Sequence, residues 1–184
     1  MTALCALTSV PVQRQRVLQS PSLQWLTGTY VNADYFYSVE IPKGLRAFTP
    51  APPEAQHGFD LPFDGTSDSV TVFAHWNTLL LSSVDSVADD QIKSLKESHG
   101  VDVVSRTATR LADLEAREMI LRNPRSAEGA THVRCTVALR NQERGVGIVY
   151  LIMLVQREKN PSGEALYSAV VSSFRLRKAE QLRD

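Results

Sequence analysis

Two cysteines in 184 residues, Cys5 and Cys135, are too few for a disulfide framework or for a zinc site built from several thiolates. Charge of one sign is also missing: 20 Lys and Arg balance 20 Asp and Glu, for a formal net charge of zero. A nucleic-acid binder relies on a basic surplus, because phosphate contacts dominate its affinity, so nucleic acid is set aside as a partner. No run approaches the ~18 consecutive apolar residues of a spanning helix, which argues against integral membrane insertion. The signatures GxSxG, HExxH, CxxC and GxxxxGK[ST] are all absent. With no catalytic constellation in view, the expectation is a non-enzyme without a cofactor.

What remains is an ordinary globular composition, 43% hydrophobic and 22% charged. A chain this long suits one soluble domain that buries roughly 70% of its unfolded surface. Residues 29–178 carry the periodic pattern and form that domain; 1–28 read as a lead-in and 179–184 as a short tail. Within the lead-in, Leu4, Cys5, Ala6 and Leu7 precede small residues and Pro11. Either they are the remnant of a secretory apolar region whose basic start is clipped, or they belong to a loose terminus. The first reading makes the protein exported or periplasmic, the second cytoplasmic. Leu4 before Cys5 does not suit a lipidation site.

Residues 35–41 are aromatic and β-branched and read as a strand stopped by Pro42 and Gly44, with 29–31 as its hairpin partner. Residues 49–69 hold four of the nine prolines and several turn formers, and read as a long surface loop. A short strand follows at 70–74. Ser86 is placed as the cap of a helix carrying Ala88, Ile92, Leu95 and His99 at helical spacing, with Asp89 in its first turn and Gly100 as its stop. Strands are expected at 101–108 and 114–122. Val133, Cys135, Val137 and Leu139 alternate with Arg134, Thr136, Ala138 and Arg140, the pattern of a strand with one solvated face. Residues 148–155 are apolar on both faces, as a central strand requires. Asn160-Pro161 opens a last helix with Leu166, Tyr167, Val170, Val171 and Phe174 as its core stripe, and Arg175, Arg177 and Lys178 at its negative end. Hairpin-linked strands with two helices make the fold class α+β, built on an antiparallel sheet.

Candidate sites are sparse. His57, Asp60, Asp64 and Asp68, with Glu54, could offer oxygen and imidazole ligands to a metal; the same residues are what turns use, and their spacing matches no calcium loop. His75 and Trp76 follow a strand end, where site residues often sit, and His75 or His57 could serve as an acid or base beside a loop carboxylate. No nucleophile stands beside them, so a structural histidine is the plainer reading. Arg134 and Arg140, with Arg106 and Arg110 upstream, could form a basic patch for an anionic partner surface, or an ordinary solvated face. His99 reads as a helix-end cation, His132 as exposed, Cys135 as a buried inert thiol, and Gly145-Val146-Gly147 as a hairpin element.

Three segments together carry a family likeness. The strand Tyr35-Phe36-Tyr37-Ser38-Val39-Glu40-Ile41 ending in Pro42-Lys43-Gly44, the apolar strand around Tyr150, and 167–175 from Tyr167 to Arg175 resemble the PsbP-like superfamily. That group includes the extrinsic photosystem II subunit, a Ran-binding import factor and many bacterial proteins. The resemblance implies an α-β-α sandwich, a central antiparallel sheet flanked by helices. It further implies a non-catalytic module that binds another protein or, in some members, a metal ion. The chain itself is expected to be a monomer or weak dimer, and the alternative to a protein-binding module is an enzyme of unrecognised type or a metal-binding protein using the 54–77 region. No site residue carries over from the family, because its motifs are core and turn patterns.

Overall fold

A computed structural model describes residues 25–49, 56–63, 68–123, 131–142, 146–157 and 159–178. Strands β1 (Trp25–Leu26), β2 (Gly28–Asn32), β3 (Tyr37–Ile41), β4 (Ala47–Phe48), β5 (Gly58–Pro62) and β6 (Ser69–Trp76) precede helix α1 (Val84–His99). Then come β7 (Asp102–Leu111), β8 (Leu114–Asn123), β9 (Thr131–Arg140), β10 (Ile148–Gln156), α2 (Pro161–Ser173) and β11 (Arg175–Leu176). Eight strands form one antiparallel sheet in the order β1-β4-β5-β6-β10-β9-β8-β7, and β11-β3-β2 form a second, small one. The apolar run 148–155 is thus a central strand, flanked by β6 and β9.

Parity along β9 sorts the layers. Val133, Cys135, Val137 and Leu139 share a core with Val87, Ala88 and Leu95 of α1, which packs across β8 and β9. Ala138 belongs with Tyr150, Tyr167, Val170 and Phe174 to the core on the other face. That face is covered jointly by α2 and the small sheet. The face expected to be solvated is therefore buried. Thr136 is 1% exposed and its hydroxyl lies 2.6 Å from that of Tyr167. Arg134 sits 4.8 Å over the Tyr167 ring and pairs with Glu118 and Glu164.

Local chemistry explains the other departures. Helix α1 is capped by Ser83, not Ser86: Ser83 is extended and its hydroxyl accepts from the Ser86 N–H at 3.1 Å. Gly100 ends the helix at φ 62°, a left-handed conformation that costs a glycine nothing. Asn160 caps α2 ahead of Pro161 as the sequence indicated, and the Arg175 guanidinium donates to the Ser172 and Phe174 carbonyls at its end. Segment 49–69 is not all loop, since β5 runs between β4 and β6. Gly, Asp and Pro obscured its alternation, yet Phe59 and Leu61 are 1% and 0% exposed. Burying each contributes about 1.5–3 kcal/mol, more than the roughly 1 kcal/mol span of strand propensities. Gly58 is required there, because a Cβ would stand 1.9 Å from the Val72 carbonyl oxygen. Trp25–Leu26 pairs with β4, so residues of the expected lead-in take part in the large sheet. Tyr35 and Phe36 form a turn rather than a strand start, and His132 is half-buried rather than exposed.

Candidate functional site

Three strand ends meet at one end of the large sheet. Trp76 closes β6, Ile148 opens β10 and Arg140 closes β9, and the register sets them in one row. Strands spaced ~4.8 Å apart put Trp76 and Arg140 about 10 Å from each other on the same face. Turn 33–36, between β2 and β3, lies over this row. The Tyr35 ring is 5.5 Å from that of Trp76, and the Phe36 ring is 5.8 Å from the Arg140 guanidinium carbon. Three hydrogen bonds fasten the turn. Tyr35 N–H donates to Asn32 Oδ1 at 3.0 Å, Tyr150 OH to the Tyr35 carbonyl at 2.9 Å, and Arg177 N–H to the Phe36 carbonyl at 2.8 Å.

Beside the row, residues 77–82 form a loop built around Asn77, which is 6% exposed. Its N–H donates to the Gly147 carbonyl at 2.8 Å. Its side-chain amide donates to the Leu81 carbonyl at 2.8 Å, while Oδ1 accepts from the Leu81 N–H at 3.0 Å. Leu80 N–H donates to the Asn77 carbonyl at 3.0 Å. Within this clamp Leu79 is 64% exposed and Leu80 74%, and the neighbouring Trp76 and Val146 are each 39% exposed. Three non-glycine residues with positive φ fall at this end, Phe36 (56°), Leu80 (53°) and Ala112 (50°). Ala112 belongs here because it joins β7 to β8, whose Ala116 stands opposite Ala138. Each left-handed residue costs about 1–2 kcal/mol, and backbone strain collects where surrounding structure enforces a functional shape.

The electrostatics of this end centre on Arg140. Its Nη1 is buried and has no hydrogen-bond partner, alone in that respect among the described residues. Burial raises the neighbouring Tyr150 hydroxyl pKa, and the hydrogen bond between that hydroxyl and the Arg140 guanidinium, together with the Arg140 charge, opposes the rise.

The remaining candidates are dispersed. Asp60 accepts from the Thr71 hydroxyl at 2.6 Å, and buried Asp68 accepts from the Arg157 N–H at 3.1 Å. Asp64 and Glu54 lie outside the described residues. Among the described residues no three His, Cys, Asp or Glu side chains gather as a metal site would require. His57 Nδ1 lies 2.8 Å from the Ala74 carbonyl, which can only accept, so Nδ1–H donates there, with the Tyr35 hydroxyl 2.9 Å from the same nitrogen. Phe73 separates the two histidine rings, 5.0 Å from His57 and 6.0 Å from His75. The crevice at His75 holds about 20 Å³, room for a water rather than a substrate. A wider groove of about 770 Å³ runs along the 42–46 turn beside α2, and none of the sequence candidates lines it.

The four arginines do not form one patch. Register places Arg106 and Arg110 on the α1 face and Arg134 and Arg140 on the other. Arg106 pairs with Asp85 and Asp89, Arg117 with Asp85 and Glu115. Of the sequence candidates, Trp76 and Arg140 come to the sheet end on one face, and His75 and Arg110 come to it on the reverse face. Asn77, Leu79 and Leu80 were missed, although three leucines in a row after an Asn-Thr turn are an unusual loop composition that pointed to them.

No protein-family profile matches the chain, and no curated protein matches its sequence. Solved structures do. The solution structure of cyanobacterial PsbP (CyanoP) from Synechocystis sp. PCC 6803 aligns over 91% of this chain and 99% of its own, with TM-score 0.56 and 13% identity. The fold is PsbP-like. LpqN of Mycobacterium tuberculosis, described as involved in cell envelope biogenesis, aligns over 85% of this chain and 92% of its own, with TM-score 0.57 and 11% identity. At such identities the likeness is one of fold, and function has to come from the site. No helix among the described residues is long and apolar enough to cross a membrane.

Proposed function

We propose that this chain is a non-catalytic accessory module that binds another protein through the sheet end formed by Trp76, Leu79, Leu80 and Val146. The observation that carries this reading is the Asn77 clamp, which spends a buried amide and a left-handed leucine to hold two adjacent leucines in solvent. Covering each leucine fully contributes about 1.5–3 kcal/mol to an interface, the behaviour of an anchor residue. The free module is a monomer or weak dimer, and its two helices on opposite faces are read as the outer layers of an α-β-α sandwich, with the small sheet sharing one of them. The PsbP-like fold supports an accessory role, and the described involvement of LpqN in envelope biogenesis makes an envelope process the first place to seek the partner.

The test is a comparison of tagged wild-type chain with the Leu79→Asp/Leu80→Asp double variant, each captured from fractionated cells of the native host. A discrete protein enriched by the wild type and lost with the variant is expected. An identical set of proteins on both, with the variant folded by circular dichroism, would contradict the reading.

A further inference from the structure

We infer that the outer edge of β7 pairs with β7 of a second copy of this chain, joining two large sheets across a two-fold axis at Thr107. This edge is separated from β6 and Trp76 by β10, β9 and β8, so the inference goes beyond the docking reading above. The two edges of the large sheet differ sharply. One is β1, two residues long, and a very short edge strand guards a sheet against pairing with another. The other is β7, ten residues long, with neither the proline nor the lysine that commonly guard such edges. Among the described residues β8 is its one strand partner, and the chain enters the sheet at the opposite edge, through β1. Residues 107–110 are exposed. Arg106 does not guard the edge, because Asp85 and Asp89 hold its guanidinium against α1.

The turn at the end of β7 sets which backbone groups point outward. Leu111 and Leu114 close a two-residue turn with Ala112 left-handed, the form in which the closing pair is hydrogen-bonded. Hydrogen-bonded and open pairs alternate from there, so Thr109, Thr107 and Ser105 spend their N–H and C=O groups on β8. Those of Arg106, Ala108 and Arg110 face away from it. A two-fold axis perpendicular to the sheet brings like faces together and therefore passes at a residue rather than between two. Centred on Ser105, the pairing would place the register shift between Val103 and Ser105 at its middle. Centred on Arg106 or Ala108, it would set Arg106 opposite the second copy's Arg106 or Arg110, and like charges directly opposite are destabilising. Centred on Thr109, it would run into the turn. At Thr107 none of this happens. Thr107 meets Thr107, Ser105 meets Thr109 and Arg106 meets Ala108, and hydroxyl pairs of this kind are favourable across strands. Arg106 and Ala108 of each copy then exchange about four backbone hydrogen bonds. One strand pair is a small interface, so the dimer is weak. Antiparallel pairing points the two Trp76 ends in opposite directions and leaves both open.

Sedimentation equilibrium of the purified full chain, from about 5 to about 500 µM, tests this. A reversible monomer–dimer equilibrium is expected. Thr107→Lys sets two like charges face to face at an exposed position and is expected to raise the dissociation constant at least about tenfold. The register is read separately, in a Cys5→Ser background. Thr107→Cys brings two thiols to an open pair with Cα atoms about 4.5 Å apart, within disulfide range, and should cross-link on mild oxidation. Thr109→Cys sets them about 14 Å apart and should not. A chain that stays monomeric at every concentration would overturn the inference. So would a dimer that Thr107→Lys, folded by circular dichroism, leaves unchanged, since the contact would then lie elsewhere. Thr109→Cys cross-linking as fast as Thr107→Cys would overturn the axis at Thr107, and the inference with it.

Discussion

Replacing Asn77 separates the clamp from the loop it holds. Asn77→Ala removes the bonds to the Leu81 carbonyl and N–H, at 2.8 and 3.0 Å, from a side chain that is nearly fully buried. Two such bonds contribute about 1 kcal/mol each net of water, so the variant is expected to lose about 2 kcal/mol. For a chain of this size that lowers the melting temperature by roughly 4–8 °C. Asn77→Asp is the sharper probe, because the shape is kept and only protonation differs. An ionised carboxylate still accepts from Leu81 N–H but faces the Leu81 carbonyl with a second acceptor. Burial and that carbonyl both raise its pKa above the ~3.9 of an unfolded Asp. Protonated, the group donates to the carbonyl as the amide does. The variant's stability is therefore fully present below about pH 4 and is lost as pH rises from the unfolded toward the folded pKa. Urea unfolding at pH 4 and pH 7.5, followed by circular dichroism, measures this as a deficit against wild type. The deficit is expected to be small at the lower pH and to exceed that of Asn77→Ala at the higher. An Asn77→Asp deficit that is the same at both pH values would refute the bonding assigned to the clamp.

Other sites give independent checks. The Arg117 side chain, and with it Arg106, holds the Asp85 carboxyl below its usual pKa, so the stability difference between wild type and Asp85→Asn should be present at neutral pH and vanish as pH falls through that lowered value. Thermal melts across an acid series, repeated at high salt to shrink the exposed ion pairs, measure it. Burial pushes the Cys135 thiol far above its ordinary pKa, so iodoacetamide at pH 8 should label it only after unfolding, as peptide mass mapping would show. Thr136→Val removes the hydroxyl 2.6 Å from the Tyr167 OH and should cost about 1–3 kcal/mol in urea unfolding.

Much of the large sheet was legible because its signals are local. The period-two alternation of 133–140 and the unbroken apolar run of 148–155 each identify a strand without reference to the rest of the chain. Gly100 and Asn160-Pro161 mark helix ends for equally local reasons. What escaped depends on partners distant in sequence. The Arg134 face looked solvated because the carboxylates that pair with it, on Glu118 and Glu164, lie 16 and 30 residues away. Strand β5 was hidden by Gly58, Asp60 and Pro62, and only the pairing with β6 shows that Asp60 accepts from the Thr71 hydroxyl. At the sheet end, Trp76 and Arg140 stood out as residue types. The positive φ of Leu80 and Phe36 leaves no mark in the sequence, and neither does the orphaned nitrogen of Arg140.

The claim that the sheet end is a protein-docking face is tested most directly by placing a photoreactive benzoylphenylalanine at Leu80 in the full chain, expressed in its native host. The same residue at Glu97, exposed on α1, serves as control. Illumination should give one discrete heavier species from the Leu80 position and none from Glu97. No cross-linked species at Leu80, or the same products from both positions, would contradict the account.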